Sequence, residues 1–378
     1  MKISKIQQHQ PSTDIAIFVR SLHGGGAEKV LLNLASGFIE RGLNVDLLLA
    51  RATGSYLEQV PPKVRVVDLK AEWVPSSLPK LTHYLRQVRP TTLLAALHYP
   101  CEIAVLAKRL AGVSTRVIVS EHNTLSREAV GIPQMSVRLT PLAARLFYPW
   151  ADGIVAVSQG VADDLGQITR LSSDRIQVIY NPIVLPKLFT LAQEPVEHSW
   201  FKPGEPPVIL GVGRLHPQKD FPTLIRAFAE VRKVQQARLM ILGDGPERQA
   251  LTTLVSELGL TEDVAFPGFV QNPYAYMAKA AVFVLSSAWE GLSTVLVEAM
   301  AVGTPVVSTN HESGPREILA EGKYGAIVPV GDSAAIAQAI TSILTGNTQK
   351  LDPGWLDQFT LEVCVQKYLA LLGLECQA

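Results

Sequence analysis

Two carboxylates, Glu290 and Glu298, bound the stretch Trp289-Glu290-Gly291-Leu292-Ser293-Thr294-Val295-Leu296-Val297-Glu298, with seven residues between them. The apolar run Ala280 to Leu285 predicts a buried strand just before it, and Ser293–Val302 predicts the helix that follows, closed by Gly303 and Thr304-Pro305. Glu290 then falls on the loop at the strand's carboxyl end, and Glu298 lies more than one turn into the helix. In open α/β sheets that rim is where ligands bind. The helix start, Leu292 to Thr294, offers unpaired N–H groups and a positive dipole end to a phosphate. A carboxylate beside such an anion site suits sugar hydroxyls, which call for strong acceptors. As a rim-loop residue, Glu290 is expected to be replaceable with little effect on folding. Taken alone, the unit reads as an ordinary strand-loop-helix with a solvated glutamate.

A second group of residues points to the same chemistry. Ile209-Leu210-Gly211-Val212-Gly213-Arg214-Leu215 followed by Gln218-Lys219-Asp220-Phe221 places two cations five positions apart after another predicted strand. Negative charge builds on a departing diphosphate, so such a rim would need Arg214 as a planar fork and Lys219 as a point charge. On their own, the two residues are as well explained as surface charges flanking a turn. The first predicted strand ends at Ser21-Leu22-His23-Gly24-Gly25-Gly26-Ala27-Glu28, where successive glycines let backbone N–H groups approach a bulky anion. His122 follows the apolar run Val117–Val119, and Ser158 follows Ile154–Val157. A lone histidine at a strand end is more often a packing or capping residue, and a serine there is a natural helix N-cap.

The elements that must position these residues alternate along the whole chain. Predicted strands are Asp14–Arg20, Asn44–Ala50, Val64–Asp68, Thr92–Leu97, Thr115–Ser120, Gly153–Val157 and Gln177–Tyr180, then Pro207–Val212, Ala237–Leu242, Val264–Pro267, Ala281–Leu285, Pro305–Ser308 and Gly325–Val328. Helical patterns such as Glu28–Arg41, Phe221–Gln235, Glu247–Leu258 and Ser333–Leu344 lie between them. This alternation predicts parallel sheets with crossover helices. Residues 181–207 carry six prolines and no periodic pattern, which reads as a linker, and Trp355 to Leu372 is predicted helical.

At 378 residues, with 47% hydrophobic and 18% charged, two well-buried domains are expected. Lys plus Arg and Asp plus Glu both number 34, so there is no basic excess and no nucleic-acid partner is expected. Residues 1–185 hold 20 basic and 14 acidic residues, a net +6, and residues 186–378 hold 14 and 20, a net −6. A basic first half suits an acidic partner such as a lipid diphosphate or phospholipid headgroups, though uneven surface charge accounts for it equally. Cys101, Cys364 and Cys376 are scattered, as in a reducing cytoplasm. No run approaches the ~18–20 apolar residues of a spanning helix, and the polar start, Met1 to Thr13, is no secretory signal.

The glutamate unit, the Arg214/Lys219 pair and the Gly-Gly-Ala-Glu loop together resemble the retaining family-4 glycosyltransferases, in family order over most of the chain. The match is closest over residues 205–330. The resemblance implies the GT-B fold, an α/β architecture of two Rossmann-like domains facing across a cleft. Residues 1–185 would form the acceptor-binding domain and 186–354 the nucleotide-sugar domain, with the terminal helix (355–376) crossing back to the first. It implies that Gly25 and Gly26 face the donor diphosphate and the acceptor, and that His122 contacts the transferred sugar. Ser158, Arg214, Lys219, Leu292, Ser293 and Thr294 would serve the substrate, and the Phe269 loop the nucleotide base. Glu290 would orient sugar hydroxyls, and Glu298 would hold the ribose. Ser313-Gly314-Pro315 is similar to a stretch in members that use UDP-activated amino sugars. No Asp-x-Asp occurs, so no metal and no cofactor are expected; Arg214 and Lys219 would take the metal's place.

The function this implies is transfer of a sugar from a nucleotide-sugar donor, UDP-linked by preference, with retention, to a saccharide or lipid-linked saccharide in surface polysaccharide or glycolipid biosynthesis. The departing phosphate would take the acceptor proton. A nucleotide-sugar epimerase of the same fold is the alternative. An oxidoreductase fails because His216 stands where the third glycine of Gly-x-Gly-x-x-Gly belongs. Residues 126–150 intersperse Arg127, Arg138 and Arg145 among Val130, Ile132, Met135, Val137, Leu139, Leu142, Leu146, Phe147 and Trp150. They form either a surface that rests on anionic lipid at the inner face of the cell membrane or an amphipathic helix packed on its own domain.

Overall fold

The structure is a computed structural model and describes residues 12–23, 26–131 and 135–374. Gly25, expected at the donor, lies outside them. Two compact units divide the chain. The first gathers Met1–Ala156, Ala162–Ile179 and Val365–Ala378, and the second gathers Val157–Val161 and Tyr180–Cys364.

The first unit is built on seven parallel strands: β1 (Ile15–Val19), β2 (Val45–Leu49), β3 (Arg65–Asp68), β4 (Thr92–Ala96), β5 (Arg116–Glu121), β6 (Gly153–Ala156) and β7 (Ile176–Val178). Their order is β3-β2-β1-β4-β5-β6-β7. The second unit carries β8 (Val208–Val212), β9 (Arg238–Leu242), β10 (Val264–Gly268), β11 (Val282–Leu285), β12 (Val306–Thr309) and β13 (Ala326–Val328) in the order β10-β9-β8-β11-β12-β13. Both sheets start at a central strand, step outward on one side, then return to the other. The order reverses between β1 and β4 and again between β8 and β11, which makes the carboxyl ends of these pairs the natural binding crevices.

Central strands such as β1, β2, β4 and β11 are buried along their whole length. Helices cover both faces of a parallel sheet, so no polar alternation survives and the strands read as continuous apolar runs. The edge strand β3 is largely exposed, with Arg65 and Asp68 at its ends. In the second unit Ile209, Leu239 and Val284 of the sheet pack with Leu224 and Phe228 of the helix Phe221–Val234 and Ile336 and Ile340 of the helix Ser333–Leu344.

Residues 181–207 are not structureless. They hold a helix, Pro186–Ala192, begun by proline at a first-turn position where its missing N–H is harmless, and the 3-10 turn Ser199–Phe201. Asn272 Nδ2 donates to Leu191 O at 2.9 Å, so the passage is fastened to the second unit. The terminal helical stretch is also two elements, a 3-10 run Pro353–Phe359 and the helix Leu361–Leu372. They part at Thr360, whose extended backbone bridges Val184. Within the first unit, Tyr368 of that last helix donates to or accepts from Ser120 Oγ at 3.1 Å and meets Phe38 edge-on.

Candidate active site

Strand β8 runs into Gly213, Arg214 and the 3-10 turn Pro217–Lys219, which ends at Asp220 in the left-handed region. Gly213 leaves room for the Lys219 stem. A Cβ there would lie 2.9 Å from Lys219 Cε and 3.1 Å from Cδ, so any other residue would push the lysine stem from its place across the strand end. Gly243 and Gly245 press against the same backbone. Their Cβ atoms would fall 1.9 Å from Gly213 O and 2.4 Å from Leu215 O.

Lys219 Nζ and Ser287 Oγ both donate to Glu290 Oε1, the hydroxyl at 2.7 Å. The two loops are laced together around this pair. Ser286 Oγ donates to Lys219 O at 2.7 Å, Gln218 Nε2 to Trp289 O at 2.9 Å, and Ala288 N to Gln218 O at 2.8 Å. The Lys219 and Glu290 side chains are 15% and 12% exposed. Burial opposes ionisation of Glu290, but the Lys219 charge and its hydrogen bond outweigh it, and the carboxyl is held below its ordinary range. Glu290 is thus largely buried and paired rather than a free rim residue, so its removal reaches the fold as well as the site.

The helix Thr294–Ala301 begins after Ser293, whose side chain does not cap it; Ser293 Oγ instead lies 3.4 Å from His311 Nε2. The first turn therefore keeps N–H groups without a side-chain acceptor, as an anion would need. Leu292 and Ser293 are buried and Thr294 half-buried. Glu298 is buried one turn on and accepts from Tyr274 OH at 3.0 Å. His311, which sequence reasoning missed, is buried two residues beyond β12, and burial pushes its imidazole down to about 4. Its place at the carboxyl end of a central strand is the signal that could have found it. The side chains of Arg214 and Phe269 are exposed and form no hydrogen bond or ion pair with a described residue, so the structure does not join them to this group.

Ser158 takes the N-cap position of the helix Gln159–Thr169. Its Oγ accepts from Val161 N at 3.2 Å, as an N-cap does, and donates to Gly291 O at 2.9 Å, beside Glu290. Glu317, to which the sequence assigned no role, accepts from Gln159 N and from Tyr180 OH, both at 2.9 Å. Burial raises its pKa.

In the first unit, Gly26 opens the helix Gly26–Glu40 and has open space where a Cβ would be. His122 directly follows β5 and is buried. Its Nε2 lies 3.2 Å from Ser120 Oγ, and desolvation pushes its pKa down to about 4. At neutral pH it is an uncharged imidazole, suited to hydrogen bonding and not to carrying charge. Among the described residues no group of three or more His, Cys, Asp or Glu could hold a metal ion.

Two family profiles match this chain, glycosyltransferase family 4 over residues 24–185 and glycosyl transferases group 1 over residues 193–353. A Campylobacter jejuni N-acetylgalactosamine-N,N'-diacetylbacillosaminyl-diphospho-undecaprenol 4-alpha-N-acetylgalactosaminyltransferase is 33% identical over 87% of this chain and 90% of its own. The lipopolysaccharide core biosynthesis glycosyltransferase LpsE of Rhizobium meliloti is 29% identical over 92% and 96%. The solved structure of Anabaena HepE with UDP and glucose superposes with a TM-score of 0.77 at 22% identity, covering 95% of this chain and 99% of that one. The lipopolysaccharide outer core galactosyltransferase WaaB superposes at 0.76, with 21% identity and the same coverage. The fold is therefore GT-B, and the chain belongs to the family-4, group 1 glycosyltransferases. It is an enzyme that transfers a sugar.

Proposed function

We propose that this enzyme transfers an N-acetylhexosamine, with retention, from its UDP-activated form to a lipid-linked saccharide in surface polysaccharide or glycolipid assembly. The observation that carries the donor half is the Lys219–Glu290 pair at the β8/β11 switch point, beside an uncapped helix start. Lys219 and Arg214 would neutralise the departing diphosphate, and the N–H groups at Ser293–Thr294 would hold its oxygens. Glu290, kept ionised by Lys219, would accept from sugar hydroxyls, and Glu298 would accept from the ribose. The phosphate would take the acceptor proton. His122, uncharged, would hydrogen-bond the sugar, and Ser158 would steady the Gly291 carbonyl. The first unit would take the acceptor, with Gly25 and Gly26 at its loop, and the Phe269 loop of the second would meet the base. An amino sugar is favoured by Ser313-Gly314-Pro315 and by the N-acetylgalactosaminyl transfer in the Campylobacter relative's name.

A lipid-linked acceptor is in keeping with that relative's name and with a surface on the first unit. Leu139, Leu142 and Leu146 recur at helical spacing around the helix Thr140–Phe147, and all three are more than half exposed. Arg138 and Arg145 are exposed among them, and Arg109 stacks over the Trp150 ring at 3.8 Å. Apolar side chains rimmed by cations suit anionic lipid at the cytoplasmic face of a membrane. Among the described residues no helix is long and apolar enough to cross one.

The test is incubation with a panel of UDP-sugars and a lipid-diphosphate-linked oligosaccharide. One donor should add a single sugar to the acceptor with its anomeric configuration kept. Conversion of a UDP-sugar without any acceptor would instead identify an epimerase. Sedimentation with anionic vesicles should show binding that salt and an Arg138→Gln/Arg145→Gln variant both weaken; no binding at low salt removes the membrane contact.

A further inference from the structure

Buried polar atoms without partners gather at one rim of the first unit. Among the described residues ten buried side-chain nitrogens or oxygens lack a hydrogen-bond partner, and five of them belong to His98, Glu102, His122 and Glu128. Protein interiors satisfy nearly all such atoms, so a concentration of exceptions marks a place completed by something from outside.

These residues come from two neighbouring strand ends. His98 lies two positions beyond β4 and Glu102 in the first turn of the helix Pro100–Ala111; His122 follows β5 and Glu128 sits in the helix Leu125–Gly131. The backbone at His98 is strained, since Leu97 and Tyr99 on either side have φ of 71° and 67°. Non-glycine residues persist in that region only where the surroundings hold them, and such strain collects at functional sites.

Neither oxygen of Glu102 is hydrogen-bonded; the nearby N–H groups of Tyr99 and Glu102 pull against its burial without completing a bond. Glu128 accepts from Asn123 Nδ2 at 2.9 Å through Oε1, while its Oε2 lies 3.7 Å from His98 Nδ1, too far for a hydrogen bond. The His98 and Glu128 side chains each stay 20% exposed, which leaves the cluster an open side. Behind them Glu121 is fully buried and satisfied by Tyr148 OH at 2.8 Å and His122 N at 3.1 Å.

We propose that Glu102, Glu128 and His98 are the residues that bind the acceptor's terminal sugar through its uncharged hydroxyls and reject an anionic sugar. The proposal rests on the glycosyltransferase reading above. The bare atoms are chiefly carboxylate oxygens, which accept, and a sugar hydroxyl donates. A hydroxyl also accepts, so it can serve the imidazole Nδ1 in either tautomer. A uronate or a sugar phosphate would carry its negative charge into surroundings where burial already disfavours charge on Glu102, Glu121 and Glu128. Burial already raises these three carboxyls, Glu102 and Glu128 to about 7 and Glu121 to about 8. The first unit's rim thus selects neutral hydroxyls, whereas the cationic rim at Lys219 selects phosphate.

The experiment compares wild type, Glu102→Gln and Glu128→Gln with lipid-linked acceptors ending in a neutral hexosamine or a uronic acid. Acceptor KM, UDP affinity by calorimetry and thermal midpoint are read on the same samples. Each variant should raise the KM for the neutral acceptor about 10- to 100-fold, the loss of one or two hydrogen bonds to a buried carboxyl. UDP affinity should stay within about twofold. The midpoint should hold or rise, because a neutral amide is easier to bury than a carboxylate. Wild type should discriminate strongly against the uronate, and the double variant should narrow that gap. A wild type that binds UDP yet uses both acceptors equally, or variants with unchanged acceptor KM, would overturn the subsite alone. A wild type without UDP affinity would overturn the functional reading first, and the subsite with it.

Discussion

Replacing Glu290 by alanine should damage both turnover and stability, and the structure lets the two be separated. Glu290 accepts from Lys219 and from Ser287 in a site where both partners of the ion pair are nearly buried. Removing one member of a buried pair strands the other's charge, at a cost of about 3 kcal/mol at the lower end of the usual range. For a unit of this size that is a fall of roughly 6–12 °C in the thermal midpoint. Loss of a contact to the reacting sugar should lower kcat about 10²- to 10³-fold. Lys219→Met in the Glu290→Ala background removes the stranded charge. The double variant should therefore regain most of the lost stability while remaining inactive. Thermal unfolding and steady-state transfer rates on the four proteins close the cycle. A folded Glu290→Ala protein with wild-type turnover would refute the catalytic role. A double variant no more stable than the single one would refute the buried pair.

Gly213→Ala should displace the Lys219 stem, since the new Cβ would sit 2.9 Å from Cε. Transfer should fall at least about tenfold while unfolding loses only about 1 kcal/mol, because the obstructed atoms are a flexible chain end. Glu121→Gln should flatten the pH dependence of stability. With its folded pKa raised to about 8, the carboxyl's contribution is complete below the usual carboxylate range near 4 and is lost as pH rises through about 8. Wild type should thus lose more stability than the variant between pH 5 and 8 in thermal melts, and equal losses would count against a protonated Glu121. EDTA should leave transfer intact, because cations at the rim stand where a metal-dependent site would keep carboxylates; activity abolished by EDTA and restored by Mg²⁺ or Mn²⁺ would show otherwise.

Much of the architecture was legible because parallel sheets announce themselves. Each of the predicted strands, from Asp14–Arg20 to Gly325–Val328, contains a strand of the structure or lies within two residues of one. Continuous apolar runs follow from burial on both faces, and the boundaries moved only by the usual one or two residues. The Lys219–Glu290 juxtaposition was legible only as two motifs at strand ends. What brings them together is the β8–β11 pairing, a contact between strands remote in sequence. His311 and Glu317 were missed because their roles depend on the same long-range neighbours, and neither sits in a pattern with local periodicity. Glu102 and Glu128 were invisible for another reason. A glutamate in a helix's first turn has an ordinary explanation as a dipole partner, and only its bare, buried oxygens mark it out. Residues 181–207 misled through proline, which breaks helix interiors but also starts helices, as Pro186 does.

Calorimetric titration of UDP and of uridine into wild type and Arg214→Ala tests the donor site most directly. The account predicts that wild type binds UDP well above uridine, and that the variant loses affinity for UDP while keeping its weaker affinity for uridine. Equal binding of UDP and uridine by wild type, or an equal loss of both in the variant, would contradict it.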